Sequence, residues 1–259
     1  MRRKIGFAVL VLLVGVVAIP GTASASAYGA YLAPGSPVTE DFVLGPTVPG
    51  KWGPPVFGTG ATVTWSLQVA GLCDGGPCVG LAAFMPAGFL AAIQAAFNAW
   101  SAVANLTFIQ VGDAGCNFNA VCPQGDIRVT GHVFDGPGGV LAHGFFPPAN
   151  GVTAAGDIHF DVGDLWKIGF GGPGFDIFQV MAHELGHALG LNHTAVPNSL
   201  MNPFYTEAFS GPQADDIAGM QYIYGPPQVD PAIPEPATML LVGAGLVGAA
   251  RRFRSRRVS

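Results

Sequence analysis

Apolar and polar residues alternate along Thr62-Val63-Thr64-Trp65-Ser66-Leu67, which predicts a half-buried strand. Further on the period lengthens: Phe89, Ile93, Phe97, Trp100 and Val103 recur at spacings of four and three. That spacing predicts an amphipathic helix to about Ala104, with Pro86 in its first turn and the aromatics in the core. Short runs at Leu106–Val111, Asp126–Thr130, Val140–Phe145 and Asp157–Phe160 read as further strands, with Val140–Phe145 at a sheet edge. Asp176 and Gln179 form the D-x-x-Q pattern of a capping box before a helix to about Leu189. Gln213–Tyr224 is a last helix, ended by Gly225-Pro226-Pro227. Tyr28–Gly60 is rich in Pro and Gly and has no period, so it reads as an extended N-terminal segment. Strand, helix, several strands, helix and helix in that order predict one α+β domain from about Lys51 to Gly225.

Composition narrows the function. The chain has 259 residues, enough for a sizeable core, and only 10% are charged, against roughly 25% in typical soluble domains. Eight of the eleven basic residues sit at the two ends. Between Tyr28 and Ala250 there are 3 basic and 16 acidic residues, a net charge of −13. Such a body repels phosphate backbones, which excludes nucleic acid as the expected partner, and it suits bound metal cations. No apolar run of 18 residues interrupts the body, so a polytopic membrane protein is not expected.

The two ends carry processing signals. Arg2-Arg3-Lys4, an apolar run Ile5–Ile19 and the small residues Ala23–Ala27 form the three regions of a secretory signal peptide. Residues 1–27 are therefore an expected leader and 28–50 the extended segment. An uncleaved anchor helix is the alternative, on a rather short apolar run. At the other end, after a linker over 226–233, Pro234-Glu235-Pro236 precedes the apolar stretch Ala237–Ala250 and a cluster of five arginines. Fourteen helical residues rise only about 21 Å, short of a bilayer. The order of these parts over 234–259 resembles the PEP-CTERM sorting signal. That resemblance implies export in a Gram-negative bacterium, transient membrane anchoring through this segment, and processing by an exosortase-type enzyme.

Four cysteines form two close pairs, Cys73/Cys78 and Cys116/Cys122. In an oxidising compartment they predict two local disulfides; metal ligation by all four is the alternative, at spacings that are not C-x-x-C.

The segment His183-Glu184-Leu185-Gly186-His187-Ala188-Leu189-Gly190-Leu191-Asn192-His193 carries the chemistry. On a helix His183 and His187 lie one turn apart and project from one face, where two imidazoles can bind one zinc. Gly190 permits a sharp exit that returns His193 as a third ligand. Three neutral ligands leave zinc its full charge and an open position, so a bound water is acidified towards a pKa of about 7. Glu184 stands beside the first ligand without occupying that position, as a general base would.

This H-E-x-x-H-x-x-G-x-x-H run resembles the metzincin metalloprotease signature. Within metzincins, Met201-Asn202-Pro203-Phe204-Tyr205, Asp215-Asp216-Ile217 and Tyr222-Ile223-Tyr224-Gly225 are similar to the matrixins. The resemblance implies a zincin-like catalytic domain: a twisted, mostly parallel sheet with an antiparallel edge strand, three main helices and a methionine turn. It also implies that Met201 underlies the zinc, that Pro203 and Tyr205 wall the specificity pocket, and that a substrate lies antiparallel to Val140–Phe145. Serralysins are disfavoured, since Pro203 stands where they have Tyr and no Gly-rich calcium repeats follow.

By the same resemblance His143 and His159 are structural-zinc ligands. Asp135, Asp161 and Asp164, with the carbonyls of Gly136, Gly138 and Val140, are calcium ligands, and these donor types suit the two ions. The chain departs from the family in places. The loop before Phe134-Asp135-Gly136-Pro137 is shorter and lacks a carboxylate, leaving His132 as third zinc ligand and the fourth unassigned. Asp164 stands where the family usually has Glu. No cysteine lies between the leader and Lys51, so a cysteine-switch latency is not expected. The chain is thus expected to be a secreted, monomeric zinc endopeptidase acting on protein or peptide substrates. Two rivals stay open: a non-catalytic, metal-binding component of the surface or biofilm matrix, and a hydrolase of non-peptide amides.

Overall fold

The alternation in Ala61–Leu67 does form a strand, with Val63 and Trp65 buried, because one face of it meets a helix. The computed structural model describes residues 28–34, 50–147 and 154–228. The expected leader and sorting tail lie outside the described residues. Within them the order is β1 (Tyr28–Leu32), β2 (Ala61–Leu67), a 3₁₀ turn at Leu81–Ala83, α1 (Phe89–Val103), β3 (Leu106–Gln110), β4 (Ile127–His132), β5 (Val140–Phe145), β6 (Ile158–Asp161), β7 (Trp166–Lys167), β8 (Phe175–Asp176), α2 (Ile177–Ala188) and α3 (Ala214–Tyr224).

Six strands form one sheet in the order β1-β5-β6-β4-β2-β3. β2, β3, β4 and β6 run parallel, and β5 is antiparallel to β6. Central β4 and β6 are buried along their whole length, as expected of parallel strands covered on both faces. The aromatics of α1 pack as the periodicity predicts: Phe97 stacks on Trp65 at 4.5 Å and meets Phe108 edge-on at 4.9 Å. Helix α2 packs on α1, β5 and β1, which sets it against the antiparallel side of the sheet.

Four expectations need correction. The N-terminal segment contains a strand, β1, which pairs antiparallel with β5 from Tyr28↔Phe145 to Leu32↔Val140, with a bulge between Tyr31 and Leu32. Consequently Val140–Phe145 is an inner strand rather than an edge. Pro86 precedes α1 rather than starting it, because Gly88 (φ 93°) makes the turn into the helix. Finally, Asp176 caps α2 by accepting the Gln179 N–H at 2.8 Å, but the Gln179 side chain turns away to accept from Gly211 N–H. Only half of the expected capping box is present.

Candidate active site and metal centres

Helix α2 is buried on almost every side, and it carries His183, Glu184 and His187 with no exposed surface. At its end Gly190 adopts φ 111°, and Leu191 N–H bonds back to the Gly186 carbonyl at 2.9 Å. That left-handed turn sends the chain back across the helix face. His193 thereby meets the other two: the three Nε2 atoms lie 3.1–3.3 Å from one another.

Two of the imidazoles are oriented by their far nitrogens. His183 Nδ1–H donates to the Leu200 carbonyl at 2.6 Å, and His187 Nδ1–H donates to the Leu191 carbonyl at 2.8 Å. With those protons committed, the Nε2 atoms of both rings present bare lone pairs to each other. Burial, and then the neighbouring imidazoles, push the pKa of His183 and His187 well down, so both stay neutral. Lone pairs this close repel unless a cation stands between them. A triangle of such edges puts each nitrogen about 1.8 Å from its centre, close to a zinc–nitrogen bond length, so His183, His187 and His193 would hold a zinc ion.

The support under this trio is specific. Met201 lies beneath the turn that joins His183 to His187, where a Cβ at Gly186 would meet its Sδ at 2.4 Å. Buried Asp216, at the start of α3, accepts from Leu200 N–H at 2.7 Å, Met201 N–H at 3.0 Å, Gln213 N–H at 2.8 Å and the Ser199 hydroxyl. One carboxylate thus fixes the methionine turn that in turn holds His183.

The Glu184 carboxylate is fully buried, and desolvation pushes its pKa well above the usual range. The N–H groups of Tyr31 and Gly144 face it and oppose that rise. Neither completes a hydrogen bond to the carboxylate oxygens. Beyond Met201, Pro203 is half-buried and Tyr205 buried. Tyr205 accepts from Asp176 N–H at 2.9 Å and donates to Glu207 Oε1 at 2.7 Å, which locks its ring beside the helix start.

The second cluster assembles from four segments. His132 ends β4, His143 lies on β5, His159 on β6, and all three converge on Asp74. Asp74 Oδ1 lies 2.9 Å from His132 Nε2 and 2.9 Å from His159 Nδ1, and Oδ2 lies 3.3 Å from His143 Nε2. His132 Nε2 approaches at that distance without hydrogen-bond geometry, as atoms sharing a cation do. Burial would raise the Asp74 pKa, but the three imidazoles outweigh it and hold the carboxyl far below the usual range. Three nitrogens and one carboxylate oxygen match a closed four-ligand zinc site. Sequence reasoning left this carboxylate unassigned. It comes from the loop between Cys73 and Cys78, which are joined as a disulfide; Cys116 and Cys122 form a second one.

The expected calcium residues lie on two loops packed together. Gly138 N–H donates to Asp164 Oδ1 at 2.7 Å, Val140 N–H to Asp135 Oδ2 at 3.2 Å, and Gly163 N–H to Asp161 Oδ1 at 2.8 Å. Gly136 backs onto Gly163. The other oxygens of Asp161 and Asp164 are buried and unpartnered. Burial, with the charges of Asp161 and Asp135, pushes the Asp164 pKa up to about 6. Orphaned carboxylate oxygens in this number fit a hard cation. The three aspartates do not converge as closely as the two histidine clusters, which alone among the described residues bring three or more ligand atoms within 4.8 Å.

Comparison with known proteins agrees with this geometry. The family model described as Matrixin matches residues 84–225, more than half of the chain. The chain is a matrixin. The PEP-CTERM protein-sorting motif matches residues 232–257, which indicates export and sorting to the cell surface. This matrixin is 41% identical to stromelysin-3 of Rattus norvegicus over 149 residues, covering 56% of the chain and 28% of that protein. It is 43% identical to interstitial collagenase of Bos taurus over 152 residues (56% and 31%), and 39% identical to karilysin of Tannerella forsythia over 144 residues (52% and 28%). The matched part thus spans under a third of the length of these relatives.

Proposed function

We propose that this matrixin is an exported zinc-dependent endopeptidase, with His183, His187 and His193 holding the catalytic metal and Glu184 moving the proton. The observation that carries this reading is three Nε2 atoms within 3.3 Å of one another, two of them on rings oriented by carbonyls, beside a buried carboxylate whose oxygens take no hydrogen bond. Zinc held there supplies a Lewis acid that acidifies water and polarises the scissile carbonyl.

Glu184 takes the proton of the attacking water and passes it to the leaving amine nitrogen. Its burial raises its basicity, which suits it to accept that proton. Gly144 N–H faces the same carboxylate and partly offsets the rise that burial causes. Pro203 and Tyr205 form one wall of the pocket beyond the scissile bond. A structural zinc on His132, His143, His159 and Asp74 ties β4, β5 and β6 to the Cys73–Cys78 loop. Calcium on Asp135, Asp161 and Asp164, with the carbonyls of Gly136, Gly138 and Val140, pins the loop that leads into β5. Residues 1–27 direct export. The tail over 234–259 anchors the chain in the membrane until an exosortase-type enzyme acts on it.

The test is Glu184→Gln. It retains zinc at the trio, measured by metal analysis, and loses hydrolysis of a peptide library by several orders of magnitude. Wild-type hydrolysis by that variant would remove Glu184 from the mechanism.

A further inference from the structure

Strand β1 occupies the place where an extended peptide would add to β5. It runs antiparallel to β5 with Ala30 opposite His143 and Tyr31 opposite Ala142, and Ala33 N–H continues the ladder to the Gly139 carbonyl at 2.8 Å. The Tyr31 side chain has no exposed surface, although it belongs to a short segment outside the main domain. Its ring stacks on His183 with centroids 3.8 Å apart and planes 11° from parallel, and it meets Tyr205 edge-on at 5.8 Å. The hydroxyl end reaches the Thr206 backbone and the Gln179 side chain. Tyr31 therefore fills the pocket walled by Tyr205, and its backbone N–H faces the Glu184 carboxylate.

We propose that residues 28–33 lie in the cleft as a substrate does, with Tyr31 in the specificity pocket and the Ala30–Tyr31 peptide bond at the catalytic centre. The chain's own N-terminal segment is its first substrate. The pocket accordingly selects an aromatic residue, tyrosine in particular, on the leaving-amine side of the bond. This inference rests on the endopeptidase reading above, and three features carry it. Strand addition fixes the direction of the segment. A flat ring stacked on a neutral imidazole fits a slot that a branched aliphatic would not fill. The Thr206 backbone and the Gln179 side chain lie at the hydroxyl end, and the Gln179 amide nitrogen is buried with no other partner, so the pocket floor is polar and disfavours a residue without a hydroxyl.

The reaction is a hydrolysis. Water oxygen bonds to the Ala30 carbonyl carbon and the C–N bond to Tyr31 breaks. Ala30 keeps the carboxylate, and the Tyr31 nitrogen takes the proton from Glu184 and leaves as a free amine. The fragment ending at Ala30 then departs, and the new N-terminus at Tyr31 begins in the primed half of the cleft.

The experiment uses the full chain loaded with zinc, with its N-terminus followed by mass spectrometry. Wild type gains an N-terminus at Tyr31 at a rate independent of protein concentration, and Glu184→Gln keeps the Ala30–Tyr31 bond. Tyr31→Ala slows that cut at least tenfold while its initial rate on an added peptide rises, because the pocket is free. Tyr31→Phe cuts at an intermediate rate. Two readouts do not depend on turnover of an added substrate. In Glu184→Gln the amides of Tyr31 and Ala142 are protected from hydrogen exchange, and Tyr31→Ala in that background removes the protection. On a peptide series differing only after the scissile bond, Tyr is cleaved faster than Phe, and both faster than Ala or Leu. Library peptides cleaved by an enzyme whose Ala30–Tyr31 bond stays intact would overturn this inference and leave the endopeptidase reading standing. Exchange at Tyr31 as fast as in an open chain, or cutting that scales with concentration, would also overturn it. A chain that cleaves nothing would overturn both.

Discussion

Unlinking Cys73 from Cys78 in Cys73→Ser/Cys78→Ser should weaken zinc at the second cluster and leave the first untouched. Asp74 lies inside that loop and, among the described residues, is the carboxylate grouped with His132, His143 and His159. The loop is short, with a sequence separation of 5. Closing a loop of this size removes roughly 2 kcal/mol of chain entropy from the open state. If all of that goes into holding Asp74, its loss lowers affinity about 30-fold, by RT ln K. Backbone bonds inside the loop keep part of the geometry: Cys73 N–H reaches the Gly76 carbonyl at 2.7 Å and Cys78 N–H the Gly71 carbonyl at 3.0 Å. The expected loss is therefore about tenfold to 30-fold.

Asp74→Ala removes the ligand itself and should cost more, at least about 100-fold, since even outer-shell partners are worth about 10–100-fold. Competition against a chromophoric zinc chelator resolves the two sites, with the histidine trio as internal reference. Wild-type affinity within about twofold in the double-serine variant, together with a large loss in Asp74→Ala, would show that the disulfide does not position the ligand. An unchanged Asp74→Ala would remove Asp74 from the metal site altogether.

Calcium at the Asp135–Asp161–Asp164 loops, as proposed, would stabilise only the folded chain. At 100 times its dissociation constant the gain is about 2.7 kcal/mol, which corresponds to a Tm about 5–10 °C higher than in calcium-free protein. An unchanged Tm in a calorimetric scan would argue against the site. Asp216→Ala leaves the N–H groups of Leu200 and Gln213 without their acceptor, and Met201 N–H with only the Ser199 hydroxyl at 3.2 Å, and should cost about 3–5 kcal/mol in urea unfolding. A loss under about 1 kcal/mol would mean that the methionine turn holds itself. The Glu207 carboxyl is held down to about 2 by Lys167, the Gly171 N–H and the Tyr205 hydroxyl. Its folded pKa is depressed, so its contribution is present above the unfolded value of 4.5 and is lost as pH falls through about 2. A carbon NMR titration with a midpoint near 4.5 would show that this clamp on Tyr205 is absent.

What could be read from the chain was what repeats within one element. β2 and α1 appear in the alternation around Trp65 and in the Phe89–Val103 spacing, because each buries one face against a single neighbour. The histidine trio appears for a similar reason: two members share a helix and the third follows a glycine turn. Asp74 and Tyr31 could not be found that way. Each sits in a segment too short to show a period, and each acts only where the fold brings it against a distant strand. Asp74 meets His132, 58 positions away, and its one local mark is the pair of flanking cysteines. Tyr31 belongs to the five residues of β1, whose sequence YGAYL offers little to alternate, so β5 supplies the pairing. The same blindness made Val140–Phe145 an edge on paper, since an edge is defined by what fails to pair with it. The shortened loop before Phe134 did carry a usable signal: three imidazoles without a carboxylate imply that one must arrive from elsewhere. An exported chain has an economical way to bring it, because a disulfide loop can hold one side chain in place without a core of its own.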